Sequence, residues 1–236
     1  MDQKYSISVI LPAYNEEGNI KEVIEEMNEF LLKQDKFNNY EIIVVEDGSR
    51  DNTTKILRGL ASRIPYLKLI THCKNLGYGK ALLSGVKISQ HPLVFFMDAD
   101  RQFNIKEIAK MYSFIKDFDI IAGYRYKRKD SVYRIVLGKI YTWLVSLLFG
   151  LKIKDLNCGF KLVKKKILDV EYIYSNAGVF YTEIFLKAKN KGYKIKQIPI
   201  EHFPRLRGRQ SGASLKVIFN SIIDLIRLRY FLEDAK

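Results

Sequence analysis

The chain has 236 residues, 47% of them hydrophobic and 28% charged, which excludes a disordered chain and leaves room for one sizeable α/β domain or two small ones. A net charge of +14 and an isoelectric point near 9.6 call for an anionic partner: nucleic acid, an anionic membrane surface or a phosphorylated substrate. Two distant cysteines and three scattered histidines argue against a structural disulfide, a zinc site or a histidine-based metal centre, and fit a reducing cytosol.

The N-terminal apolar run is too short for a signal peptide. It predicts a first strand over residues 7–11, ended by Pro12. Asn15, Glu16 and Glu17 then open a helix whose apolar residues Ile20, Val23, Ile24, Met27 and Leu31 keep a period of about 3.6. A second buried strand over 41–45 leads into Glu46-Asp47-Gly48-Ser49, and Ser49 or Asp51 can cap a helix carrying Ile56, Leu57 and Leu60. A third strand over 66–70 precedes Asn75-Leu76-Gly77-Tyr78-Gly79-Lys80 and a helix through 81–86. Gly77-x-Gly79-Lys80 is neither a Walker loop nor a dinucleotide fingerprint, so ATPase and dehydrogenase readings lose their support. Lys80 either faces a phosphate or is a solvated lysine of the first turn. Regular strand–helix alternation predicts a parallel sheet with helices on both faces.

The fourth strand runs directly into two aspartates, LVFFMDADRQF over residues 93–103. Ligands of open α/β sheets sit beyond the carboxyl ends of the strands, where Asp98 and Asp100 fall. Residues i and i+2 point the same way, and two carboxylates on one face repel unless a cation lies between them. Asp98-Ala99-Asp100 therefore points to a Mg²⁺ or Mn²⁺ site; the alternative is an exposed loop with Asp100 as a helix cap. Tyr14-Asn15-Glu16 and Glu46-Asp47 end neighbouring strands and share that crevice. Asp47 is a candidate nucleoside ligand, or forms only an Asp-Gly turn.

Taken in order, SVILPAYNEEGNI, IIVVEDGSRDNT, NLGYGKALLSG, FFMDADRQF, AGYRYKRKD, DLNCGFKLVKKKIL and YTEIFLKAKNKGYKIKQIPIEHFPRLRG closely resemble the family 2 glycosyltransferases of the GT-A fold. Within that family the resemblance is to dolichyl-phosphate mannose synthases and related polyprenyl-phosphate sugar transferases, over about residues 5–216. It implies a Rossmann-like, mostly parallel sheet flanked by helices, with C-terminal amphipathic helices. The catalytic domain would span 1–212, its nucleotide-sugar half about 1–123 and its acceptor half about 124–212, followed by a membrane-interface or docking helix over 213–236. It also implies a nucleotide-sugar donor, a divalent cation and transfer with inversion. By match, Pro12, Tyr14, Glu16 and Asp47 would hold the nucleoside, with Lys80 and Arg207 also on the donor. Asp98, Asp100 and Gln102 would hold the metal against the diphosphate, with Asp100 the main ligand. The chain departs from the pattern at Glu46, where many members carry aspartate, and at Arg101, where many polyprenyl transferases carry an apolar residue.

A fifth strand over 120–122 runs into Gly123-Tyr124-Arg125-Tyr126-Lys127-Arg128-Lys129-Asp130, a cationic run suited to an anionic ligand. Lys127 to Lys129 read equally as a solvated loop, whereas Arg125 and Arg134 match acceptor-phosphate positions of the family. Residues 135–151, with Trp143, Leu144, Leu147, Leu148 and Phe149, predict an interfacial amphipathic helix or a core helix. No stretch is expected to reach the roughly 18–20 apolar residues of a membrane-spanning helix. Gly159 matches the sugar side of the site and allows close backbone approach; Cys158 is expected to be a small buried residue. Glu183 either approaches the sugar or is a surface carboxylate. A strand over 194–199 leads to His202, Arg205, Arg207, Gly208 and Arg209, resembling the family's basic loop over donor diphosphate and acceptor phosphate. Arg205 is the first phosphate ligand expected there and Arg207 the second; His202 reads as structural. The final helix, 213–232, carries a stripe of Leu215, Ile218, Phe219, Ile222, Ile223, Ile226 and Leu228 with Lys216, Arg227 and Arg229 at its flank, the pattern of a membrane-surface or docking helix. Many relatives continue here into membrane spans, so this chain, ending at Lys236, is expected to be peripheral on the cytoplasmic face or anchored by a membrane-protein partner.

The expected reaction is transfer of one sugar to a polyprenyl phosphate, from GDP-mannose first or UDP-glucose second, with Asp100, Arg125, Arg134 and Arg205 catalytic. An ionised phosphate monoester needs no strong base; a hydroxyl of a glycan or glycolipid would need one, and Glu183 is the candidate. A nucleic-acid-binding reading rests on charge alone, since the cations cluster with apolar segments and form no known module. The intact Asp-Ala-Asp speaks against a catalytically silent subunit.

Overall fold

Strand β1 (Tyr5–Ala13) sends Ile7, Val9 and Leu11 to one face of the sheet and Ile10 to the other, as a strand buried on both sides must. In the computed structural model, which describes residues 4–168, 179–208 and 215–234, β1 lies between β2 (Phe37–Glu46) and β4 (Leu93–Phe96), and β3 (Leu67–Thr71) flanks β2, all parallel. With β5 (Ile120–Tyr126), β6 (Lys161–Lys164) and β7 (Ile195–Glu201), the seven strands run in the order β3-β2-β1-β4-β6-β5-β7. Arg209 and the start of the last predicted helix lie outside the described residues.

Helices α1 (Ile20–Leu32), α2 (Thr53–Ala61) and the short α4 (Ile108–Tyr112) cover one face. Helices α3 (Tyr78–Ile88) and α6 (Phe180–Asn190) cover the other, where Phe96 meets the rings of Phe180 and Tyr181. The α1 stripe of Ile20, Val23, Ile24, Met27 and Leu31 is buried as its periodicity requires.

Two expectations change. The sheet holds one strand the sequence pattern does not announce: β6, only four residues with a lysine at each end, lies antiparallel between β4 and β5. It joins the β3-β2-β1-β4 part of the sheet to β5 and β7. Helix α5 (Val132–Phe149) has 18 residues, a mean hydropathy of 1.4 and 6% of its length buried, so one helix is long and apolar enough to cross a membrane by length and composition. Only Val145 is buried in it; Val132, Tyr133, Val136, Ile140, Trp143 and Leu147 face solvent. Helix α7 (Leu215–Asp234) buries Leu225 and Leu228 and exposes Ile222, Ile226 and Tyr230.

Candidate active site

Because β1, β2 and β4 run parallel, their carboxyl ends deliver Tyr14–Glu16, Glu46–Asp47 and Asp98–Asp100 to one edge. The turn after β1 holds Asn15 in the left-handed region, φ 54°. Its carboxamide oxygen accepts from Arg50 N at 2.8 Å, and its own N–H donates to Ser49 Oγ at 3.0 Å. That turn places Glu16, buried, where Oε2 accepts from Asn19 Nδ2 and Oε1 from Arg205 Nη2, both at 2.7 Å. Burial raises the Glu16 pKa against these two bonds.

Asp98 Oδ1 accepts from Tyr78 OH at 2.7 Å, and the carboxylate rests on Gly159, where any Cβ would strike it. Burial raises its pKa. Asp100 Oδ1 accepts from Gln102 N at 3.1 Å while Oδ2 faces Arg205 Nη1 at 3.4 Å. Burial first, then the charge of Asp98, pushes Asp100 up to about 7. Two half-buried carboxylates thus stand side by side, the charge of Asp98 disfavouring ionisation of Asp100, and a guanidinium bridges Glu16 and Asp100. The carboxylate donors are all oxygen, which suits a hard divalent cation. Among the described residues no three His, Cys, Asp or Glu side chains form a metal cluster, so substrate oxygens would complete the shell, as is usual for Mg²⁺.

Opposite the carboxylates lies a fan of arginines. Arg125 makes a bidentate pair with Asp155 at 2.7 and 2.8 Å and reaches Asp130 at 3.6 Å. Burial works against the charged guanidinium, but the Asp155 bond and charge raise the Arg125 pKa. Arg128 and Arg134 approach Asp130 at 2.5 and 3.3 Å. Arg205 Nε donates to Arg207 O at 2.9 Å, and Arg207 Nη1 to Gly18 O at 2.8 Å with Glu22 at 3.1 Å. A cavity of about 340 Å³ opens beside Asp130 and Arg205, lined by these two with Lys129, Ser131, Pro204 and Gly208.

Residues 8–172 match the family model Glycosyl transferase family 2. The chain belongs to that family. It is 28% identical over 225 residues to an undecaprenyl-phosphate 4-deoxy-4-formamido-L-arabinose transferase of Pseudomonas fluorescens, covering 94% of this chain and 64% of the relative. It is 29% identical over 211 residues to a dolichyl-phosphate beta-glucosyltransferase of Trichomonas vaginalis, covering 81% and 62%. The chain therefore spans less than two thirds of the length of these two relatives. Among solved structures it resembles glucosyl-3-phosphoglycerate synthase from Mycobacterium tuberculosis in complex with UDP, at TM-score 0.73, 15% identity, and 95% and 80% of the two chains. Mannosyl-3-phosphoglycerate synthase from Rubrobacter xylanophilus gives TM-score 0.68 at 13% identity over 98% and 76%. These structures share the GT-A fold with this chain.

Within this family 2 chain, several expected residues take more specific positions. Asp47 is closed off: Oδ1 binds His72 Nδ1 at 2.7 Å and accepts from Leu76 N at 2.9 Å, and Oδ2 accepts from Gly77 N at 2.8 Å. Its carboxylate holds the turn that starts α3, and His72 continues to Ser84 Oγ at 3.0 Å. Glu46 Oε1 accepts from Ser49 N at 2.5 Å. Pro12 and Tyr14, at the end of β1, and Lys80, on α3, are half-buried. Gln102 donates its amide to Phe203 O at 3.1 Å and tethers the Asp-Ala-Asp turn to the segment after β7. Arg101, with φ 61°, points away to Glu22 and Glu26 of α1. Glu183 is buried, not a surface carboxylate, and pairs with Lys187 at 3.0 Å. Cys158 is buried as expected, and burial raises its thiol to about 11.

The residues sequence reasoning missed are partners: Tyr78, His72, Asp130, Asp155 and Lys161. Lys161 is fully buried, donates to Cys158 O and sits 3.9 Å over the Tyr181 ring, whose hydroxyl is 3.2 Å from Tyr78 OH. Burial lowers its pKa to about 8. Its one visible signal is a lysine where a buried strand alternates inward.

Proposed function

We propose that the protein transfers one sugar from a nucleotide sugar to a polyprenyl phosphate. The observation that carries this reading is the pairing of a carboxylate site, Asp98 and Asp100, with an adjoining cavity lined by Lys129 and Arg205, Arg205 being shared between the two. A phosphate acceptor arrives ionised and needs cations to aim its oxygen, which Arg134, Arg205 and Lys129 supply. A hydroxyl acceptor needs a base, and Glu183 is paired with Lys187, which disfavours that alternative.

Asp98 and Asp100 would hold Mg²⁺ or Mn²⁺, with Gln102 keeping their turn in place. When bound, the cation neutralises the charge that develops on the leaving nucleoside diphosphate. Arg205 and Arg207 stabilise the same diphosphate from the other side. The acceptor oxygen attacks the anomeric carbon from the face opposite the breaking C–O bond, so the configuration inverts. Pro12, Tyr14 and Glu16 border the nucleoside pocket, and Asp47 shapes it through the turn at Leu76 and Gly77. Similarity to a dolichyl-phosphate beta-glucosyltransferase supports glucose ahead of mannose as the sugar transferred. The exposed apolar face of α5, with α7, lies against the cytoplasmic surface of the membrane where the lipid acceptor resides.

The test is metal-dependent transfer from a panel of labelled nucleotide sugars into lipid extracts containing polyprenyl phosphate. Label in the lipid with one donor establishes the reaction and names the sugar. Labelled glycan with unlabelled lipid overturns the acceptor assignment.

A further inference from the structure

Three arginines, Arg125, Arg128 and Arg134, converge on one carboxylate that lines the acceptor cavity, and like charges brought this close repel. Something must hold them together before any phosphate arrives. The side chain of Asp130 is 1% exposed and sits in their midst: Arg128 Nε at 2.5 Å, Arg134 Nε at 3.3 Å and Arg125 Nη1 at 3.6 Å. Burial alone would raise its pKa, but the Arg128 bond and the charges of Arg128 and Arg125 lower it, so the carboxylate is ionised.

The three arginines depend on it unequally. Arg125 is clamped independently by Asp155. Arg128 lies over Gly138 of α5, where a Cβ would stand 2.8 Å from its Nη1. Arg134 has Asp130 as its one ion-pair partner among the described residues, and its Nε makes no hydrogen bond of good geometry. Asp130 also reaches the loop after β7. Lys129 N donates to His202 Nδ1 at 3.1 Å, which leaves the His202 proton on Nε2, 3.8 Å from Asp130. One carboxylate therefore joins the cationic run, the first turn of α5 and the loop that carries Arg205.

We infer that Asp130 is a positioning residue, a buried counter-anion that holds Arg134 and Arg128 at the border of the acceptor cavity. The inference deepens the phosphate-acceptor reading and rests on it. Asp130 touches no reacting atom; it acts by fixing the guanidiniums that do.

The experiment measures, for folded full-length protein, the affinities of farnesyl phosphate, of farnesol and of UDP with Mn²⁺. Asp130→Asn keeps volume and one acceptor oxygen and loses the charge. It is expected to weaken farnesyl phosphate about 10-fold, the loss of a charge-assisted contact, while leaving the nucleotide within twofold. In an Arg134→Gln background the same change is expected to cost little more, because the residue it positions is gone. Asp130→Glu carries the test if the asparagine variant does not fold: charge kept but displaced should weaken farnesyl phosphate several-fold and spare the nucleotide. Unchanged or tighter farnesyl phosphate binding overturns the inference, as does equal loss of both ligands or full additivity with Arg134→Gln. Wild-type protein that binds farnesol as well as farnesyl phosphate overturns both this inference and the acceptor reading. Phosphate-selective, Asp130-dependent binding without any transfer to the lipid sinks the acceptor reading and leaves the positioning role standing.

Discussion

Gly159→Ala isolates the geometry of the first aspartate. The glycine is not in the left-handed region, so alanine meets no backbone penalty and the whole effect comes from one methyl group. An ideal Cβ there stands 2.5 Å from Asp98 Cγ and Oδ1, against an ordinary contact of 3.4–4 Å. The carboxylate must therefore move by about 1 Å, and on its other side Tyr78 OH already donates at 2.7 Å. A misplacement of about 1 Å costs about 100-fold in rate when the displaced group orients a reacting centre. Overpacking costs about 1–3 kcal/mol of stability, or several degrees of Tm in a chain of this size. Initial rates of metal-dependent donor turnover, paired with Mn²⁺ binding followed by electron paramagnetic resonance, should both fall while thermal unfolding stays cooperative. A variant with wild-type rate and wild-type Mn²⁺ affinity would refute the placement of Asp98 on Gly159.

Arg205→Ala removes the guanidinium that bridges Glu16 and Asp100. Mn²⁺ should then bind the donor-free protein more tightly, whereas turnover drops about 100- to 1,000-fold, as for other charge-stabilising donors; a parallel fall in both would contradict a guanidinium standing in for the cation. His202 is held neutral by burial, with its pKa lowered to about 4 from an ordinary value of about 6.5. The unfolded chain takes up the proton first, so this contribution to stability is complete above about 6.5 and is lost as pH falls towards 4. The Tm difference between wild type and His202→Asn should shrink across that window, and parallel Tm–pH curves would count against it. Phe96→Ala empties a fully buried site against Phe180 and Tyr181 and should cost about 3–5 kcal/mol in denaturant unfolding; a loss below about 1 kcal/mol would refute tight packing of α6 on this face of the sheet.

The first four strands and their helices were legible because apolar periodicity and short connections leave few topologies open. Asp98, Asp100, Glu16 and Arg205 were legible because each stands at a strand end or in a loop next to a recognisable motif. What stayed hidden depends on partners distant in sequence. Asp47 reads as an open ligand until His72, 25 residues away, closes it. Asp130 reads as the acidic end of a basic run, and only its contact with His202 across 72 residues reveals a junction. Strand β6 escaped because Lys161 and Lys164 mask the alternation that would mark a buried strand. Helix α5 misled in the other direction: its composition suits a core, a membrane surface or a membrane span, and only its exposed face excludes the core.

The placement of β6 also sets the order in which the molecule can assemble. Strands β1 to β4 are contiguous in the chain and, apart from the β4–β6 ladder, pair with one another, so their contacts are comparatively local and can form while synthesis continues. The inner edge of β4 then stays unpaired until residues 161–164 emerge and dock against it. An exposed edge of Leu93-Val94-Phe95-Phe96 is a template for pairing with other chains. A fragment ending before residue 161 would carry all four parallel strands β1 to β4 and still aggregate, so the last-made central strand acts as a stopper that keeps the nascent sheet soluble.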